Sequence, residues 1–209
     1  MNGDHEDNME DTGPGPDLVA LVSSRLCHDL ASPLGALSTG MEFLEMSAGA
    51  PTEEMALLRS SVDTANARLR FFRVAFGGGG EDGPIGAAEA RGIVATMYRE
   101  SRRRVDWSDE VDRPRSEIKL AFLALACLET ATPWPAAISV VRHGDRWAVE
   151  AQADRLKPLD GLWTALAARR VPGDLPSHEV HFGLLARALS RSGRPIGVAV
   201  ESRSIVLTF

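Results

Sequence analysis

The sequence predicts an α-helical hairpin, closing into a four-helix bundle when two copies pair, followed by an α+β sandwich. Three observations predict it. Two long stretches before residue 77 repeat apolar residues at steps of three and four, a glycine run at 77–80 interrupts the chain, and helical periods then mix with strand-like alternation. At 209 residues the chain is long enough for one large or two small cores.

The first segment, residues 1–16, reads as a disordered leader. From Met1 to Asp17 the acids Asp4, Glu6, Asp7, Glu10, Asp11 and Asp17 stand without any Lys or Arg, and they account for the net charge of −6. With that start removed the charge is near zero, and no basic, aromatic-laced surface suggests a nucleic-acid binder. The run Arg102, Arg103 and Arg104 reads instead as a solvated helix C-terminus. No apolar run approaches the roughly 20 residues a membrane helix needs, and the N-terminus has no signal-peptide pattern, so a cytoplasmic protein is expected. Cys27 and Cys127 belong to no CxxC pair and read as packing residues.

Residues 17–76 are the predicted hairpin. Leu18, Val22, Leu26, Leu30, Leu37, Met41 and Leu44 form one stripe, and Met55, Leu58, Val62, Ala65, Leu69, Phe72 and Phe76 form the other. Between them, Ser47 to Pro51 make a turn, and Thr52 suits a helix start. The two stripes are expected to bury one another. Two helices make a thin core, so a symmetric homodimer is expected to complete the bundle.

Gly77 to Gly80, with Glu81, Asp82 and Gly83, form the predicted linker 77–83, since glycines lose much entropy on ordering. It lacks the Lys-Ser or Lys-Thr of a phosphate-binding loop. In the second domain, 84–209, helices are predicted at 87–100, 117–128, 159–170 and 181–192. Strands are predicted at 104–107, 136–142, 146–152, 196–201 and 204–209, with a hairpin turn at His143, Gly144 and Asp145. Helices on one face of a mostly antiparallel sheet follow.

One residue stands off its helix's apolar stripe. His28 is two positions from both Leu26 and Leu30, which is about 200° of helix rotation. Asp29 follows it, Ser32 lies one turn on, and Pro33 sits inside the helix at a cost of about 3 kcal/mol. By position alone the histidine could be merely solvated, but these neighbours make it a candidate functional residue, with Asp29 beside it. The helix surface one turn either side of it is Ser24, Arg25, Ala31, Ser32 and Gly35.

The run Arg25-Leu26-Cys27-His28-Asp29-Leu30-Ala31-Ser32-Pro33-Leu34 resembles the phosphoacceptor box of histidine kinases. Ser32 stands where that family usually has Thr or Asn. The second half resembles a degenerate histidine kinase ATP-binding domain. The family's helix asparagine is missing, since the chain's only asparagines are Asn2, Asn8 and Asn66. Asp154-Arg155-Leu156-Lys157-Pro158 lacks the glycines of the nucleotide loop, and Gly183 alone remains of the last glycine-rich turn. Together with Arg73-Val74-Ala75-Phe76-Gly77, these features resemble the ChpT-type histidine phosphotransferases of alphaproteobacterial phosphorelays.

The resemblance implies a homodimer that relays phosphoryl groups from the receiver domain of a hybrid histidine kinase to response regulators of the CtrA type. It implies His28 as the nucleophile towards phosphorus, with Asp29 orienting its ring or taking its proton. It also implies receivers docking on Ser24, Arg25, Ala31, Ser32 and Gly35, with Arg25 within reach of the phosphoryl group. Neither ATP nor any cofactor is expected in this chain, and magnesium would come with the partner receiver domain. A scaffold carrying no phosphate and an active kinase are the two competing readings. Elsewhere, His178 and His181 have two-ligand spacing but no third ligand. Glu129, Asp154 and Asp160 read as isolated surface or capping carboxylates. Trp107, Trp134, Trp147 and Trp163 read as packing residues.

Overall fold

The computed structural model describes residues 18–48, 52–77, 83–133 and 135–209. The predicted leader, most of the linker, Pro51 and Trp134 lie outside the described residues. Two helices come first, α1 (Leu18–Ala48) and α2 (Glu53–Phe76), and they pack antiparallel as a hairpin. The Thr52 side chain accepts a hydrogen bond from the Met55 N–H at 3.3 Å, satisfying one orphan donor of the α2 N-terminus.

The rest alternates helices and strands: α3 (Ala87–Tyr98), β1 (Arg103–Trp107), α4 (Arg115–Ala131), β2 (Ala136–His143), β3 (Arg146–Ala153), α5 (Asp160–Ala167), α6 (Val180–Ser192), β4 (Gly197–Val200) and β5 (Ser204–Thr208). The sheet order is β1-β2-β3-β5-β4, with β1 and β2 parallel and every other pair antiparallel. Its register aligns Val140 with Val149 and Leu207, and Ile138 with Ala151 and Ile205. These inward rows are buried, whereas Gln152 on the opposite face is exposed, the period-two signature of a sheet covered on one side. At the β2–β3 turn Gly144 adopts φ 61°, a left-handed conformation that glycine takes without penalty.

α4 is the central helix. Phe122, Leu123, Leu125 and Leu128 are inaccessible to solvent between the sheet, α6 and α2. Trp107 packs edge-on against Phe122 at 5.4 Å and lies 5.5 Å from Trp147, so both, like Trp163, are core residues. The core does not stop at the glycine linker. Ala67, Phe71, Val74 and Ala75 of α2 belong to the same buried cluster, and Phe71 stacks on Phe122 at 4.5 Å and 13°. The hairpin's second helix is therefore also a wall of the α/β half.

Two expectations are corrected here. The α1 and α2 stripes bury each other only in part: Met41 is buried, but Val22, Leu26, Leu30, Leu37 and Leu44 are exposed, as are Leu58 and Phe72. α1 meets α2 instead through Cys27, Leu34, Ser38 and Met41, a seam one flank round the helix, because α2 is rotated to seat Phe71 in the α/β core. The arginine run is not a helix end either. α3 stops at Tyr98, and Arg103 opens β1 with its side chain folded inward. Its Nε donates to the Thr132 carbonyl at 2.8 Å and its guanidinium to the Glu129 carbonyl at 3.2 Å, satisfying the last carbonyls of α4.

Candidate functional site

α1 runs unbroken through Pro33, whose missing N–H leaves the Asp29 carbonyl without its helical donor. The His28 side chain is 82% exposed, on the flank of α1 opposite exposed Leu26, Leu30, Leu37 and Leu44. Its Nδ1 lies 3.4 Å from Asp29 Oδ1. The other Asp29 oxygen accepts from Arg25 Nε at 2.9 Å, one helical turn back. The carboxylate is thus held between a cation and the imidazole.

His28 opens onto a cavity of about 620 Å³ between α1, α2 and the start of α3. Ser24, Ala31 and Gly35 line it beside His28, which unites most of the predicted docking face. Small side chains at those three positions are what leave the imidazole accessible. Arg25 and Ser32 are exposed but lie outside this lining, on the outer flank of α1. The Ser32 hydroxyl makes no hydrogen bond among the described residues.

The opposite wall was not predicted. Asn66, Arg70 and Arg73 come from α2 and Glu89 from α3. Asn66 Nδ2 donates to Ser38 Oγ at 3.0 Å and ties the two hairpin helices at the cavity's end. The only sequence signal for this wall is the segment 73–77, whose residues are constrained in a way that the structure explains. Val74 and Ala75 are buried in the shared core. A Cβ at Gly77 would fall 2.3 Å from the Arg73 carbonyl oxygen, so no side chain fits there without moving the helix end. The Gly77 carbonyl accepts from Lys119 Nζ at 2.5 Å, fixing the end of α2 to α4.

Cys27 is buried beside His28, and burial holds its thiol above the ordinary range while the Arg73 charge pulls it down. A protonated, covered thiol is a packing group. His181 is also buried, with Nε2 2.9 Å from Thr130 Oγ1, and burial pushes its pKa down to about 4. It is a neutral core residue joining α6 to α4. His178 sits apart on a 3-10 turn, exposed, and no metal-binding cluster occurs among the described residues.

In the α/β half, Glu129 is not an isolated carboxylate. It accepts from the Tyr98 hydroxyl at 3.0 Å and pairs with Arg103 at 3.6 Å and Arg68 at 4.0 Å. Asp154 pairs with Arg203. Gly183 does not form a turn before the helix but lies in the first turn of α6, where a Cβ would lie 2.8 Å from Leu175 Cδ2 and 3.2 Å from Val171 Cγ1, so the chain's own side chains pack on it. Among the described residues no helix is long and apolar enough to cross a membrane.

An exposed histidine beside a carboxylate thus stands on a helical hairpin that shares its core with an α/β domain. Residues 87–204 match the family described as histidine phosphotransferase C-terminal domain, and the chain belongs to that family. The chain is 37% identical over 130 residues to the protein phosphotransferase ChpT of Brucella abortus (strain 2308). That match covers 61% of this chain and 62% of the relative's length. A bacterial phosphotransferase of known structure superposes with a TM-score of 0.63 at 24% identity, covering 94% of this chain and 98% of that one, so the two share a fold.

Proposed function

We propose that this chain is a histidine phosphotransferase relaying phosphoryl groups between a hybrid histidine kinase receiver and response regulators through His28. The observation that carries the reading is His28 itself: exposed, next to a carboxylate, at the mouth of a cavity whose α1 wall is made of small residues. Family membership and the ChpT likeness support it.

The chemistry follows from the local geometry. With Nδ1–H facing Asp29, the Nε2 lone pair of a neutral His28 is free to attack phosphorus in line. The new bond is N–P, and the bond that breaks joins phosphorus to the receiver's aspartyl oxygen, which leaves as carboxylate. Asp29 then holds or accepts the Nδ1 proton, and onward transfer reverses each step. The partner receiver supplies magnesium and a lysine for the equatorial oxygens, so the chain needs positioning more than cofactors.

ATP has no part in this reading. Val171 and Leu175 against Gly183, and Arg203 against Asp154, support a domain retained for packing and docking. The uncovered apolar stripe of α1 supports a homodimeric four-helix bundle in which two copies pair through it. Regulators of the CtrA type are the expected acceptors, and the cytoplasm is the expected location.

The test is transfer of labelled phosphate from a phosphorylated receiver domain to the full chain, to a His28→Ala variant, and to a control given only ATP and magnesium. Label from the receiver that is lost with His28, and none from ATP, is expected. Labelling by ATP would make the protein a kinase, and no labelling from receivers would leave a scaffold.

A further inference from the structure

We infer that Arg73 of α2 is the cation that contacts the phosphoryl group on His28, with Arg70 beside it and Glu89 opposing them. This rests on the reading of His28 as phosphoacceptor. Arg25, the nearer cation in sequence, is engaged by Asp29 at 2.9 Å and lies outside the cavity that His28 faces. Arg70 and Arg73 line that cavity and are exposed, and neither forms an ion pair among the described residues. Arg59 reaching Glu42 and Glu45, and Asn66 reaching Ser38, set a hairpin register that brings Arg73 level with His28. Its charge is felt by Cys27, the residue before His28.

A phosphoryl group on the histidine brings two negative charges into the cavity. An exposed pair of arginines facing it is suited to meet them, since guanidinium binds phosphate oxygens with charge-assisted, directional hydrogen bonds. Glu89, from α3, is the single carboxylate in that lining, and it repels the same group. The α/β half therefore contributes a charge to the transfer site. The Gly77 contact and the Lys119 tether hold the α2 end that carries Arg73.

The test uses phosphoramidate, which phosphorylates histidine with loss of ammonia: its P–N bond breaks, the bond to His28 forms, and the imidazole proton leaves with the amine. The full chain and its Arg73→Ala, Arg73→Lys and Glu89→Gln variants are followed by intact mass and by phosphorus NMR of the phosphohistidine. The expected result for Arg73→Ala is phosphorylation at least about tenfold slower, with unchanged thermal unfolding. Arg73→Lys should recover part of the rate, and Glu89→Gln should raise it about two- to threefold. An Arg73→Ala rate within twofold of the wild type would overturn the inference. So would an unmoved phosphohistidine resonance in Arg73→Lys, the variant that keeps the fold if alanine does not. If phosphoramidate labels His28 in an Arg73-dependent way but no receiver does, the relay reading fails while this contact stands.

Discussion

α1 and α4 are both apolar helices, and they end in opposite situations. In α4 every leucine is buried, between the sheet, α6 and α2. In α1 Leu26, Leu30 and Leu37 remain 57%, 53% and 56% exposed. An apolar stripe states that a face is to be covered, and only the surrounding topology states by what. In α4 the cover is the same chain. In α1 nothing among the described residues provides it, and a second copy is the proposed cover.

The sharpest way to break this comparison is Phe122→Ala, which should cost about 3 to 5 kcal/mol because Phe122 holds both Phe71 and Trp107. Urea unfolding followed from both halves should shift together, since the cluster spans them; a shift confined to the α/β half would separate the cores. On α1, the pair Leu26→Glu and Leu30→Glu should abolish dimers in light scattering, while monomer unfolding changes by less than about 1 kcal/mol. Survival of the dimer would place its interface elsewhere.

His181 sharpens the comparison through pH. Burial depresses its pKa to about 4, with Glu179 acting in the opposite direction and His178 adding slightly. The unfolded state therefore binds the proton first, so stability is intact above pH of about 6.5 and falls as pH drops towards 4, by about 2 kcal/mol at pH 5. His181→Gln should flatten this limb in pH-dependent melting, and an unchanged limb would move the effect to other groups. Gly77→Ala should cost about 1 to 2 kcal/mol by forcing the end of α2 away from α4, seen as a lower Tm. Smallest of all, Arg25→Ala removes an exposed pair and should change stability by less than about 0.5 kcal/mol in the same melts.

Most of the element order was legible because periods of 3.6 and 2 are imposed by burial. The strands and helices of the α/β half fall within a few residues of their sequence-predicted spans. His28 was legible because it breaks its helix's stripe next to an acid. What escaped depended on three bodies packing at once. Phe71 and Phe72 are adjacent and equally apolar, and the heptad step favours Phe72. Only the presence of Phe122 beyond the hairpin decides that Phe71 turns inward. Arg103 misled for a related reason: its partners, the last carbonyls of α4, lie far along the chain. Arg73 carries no signal of its own in the sequence beyond the segment 73–77, because its nearness to His28 comes from hairpin register and not from sequence distance.

α2 has two occupations along its length, one face towards α1 and another inside the α/β core. Such a helix works as an axle. A substitution deep beneath the sheet that turns it by even a few degrees swings Arg73 relative to His28, so that, on the proposed contact, phosphorylation would be tuned from residues that never meet a partner. Selection for a faster or slower relay has that whole interior to act on, leaving the docking surface, and with it the choice of partner, untouched.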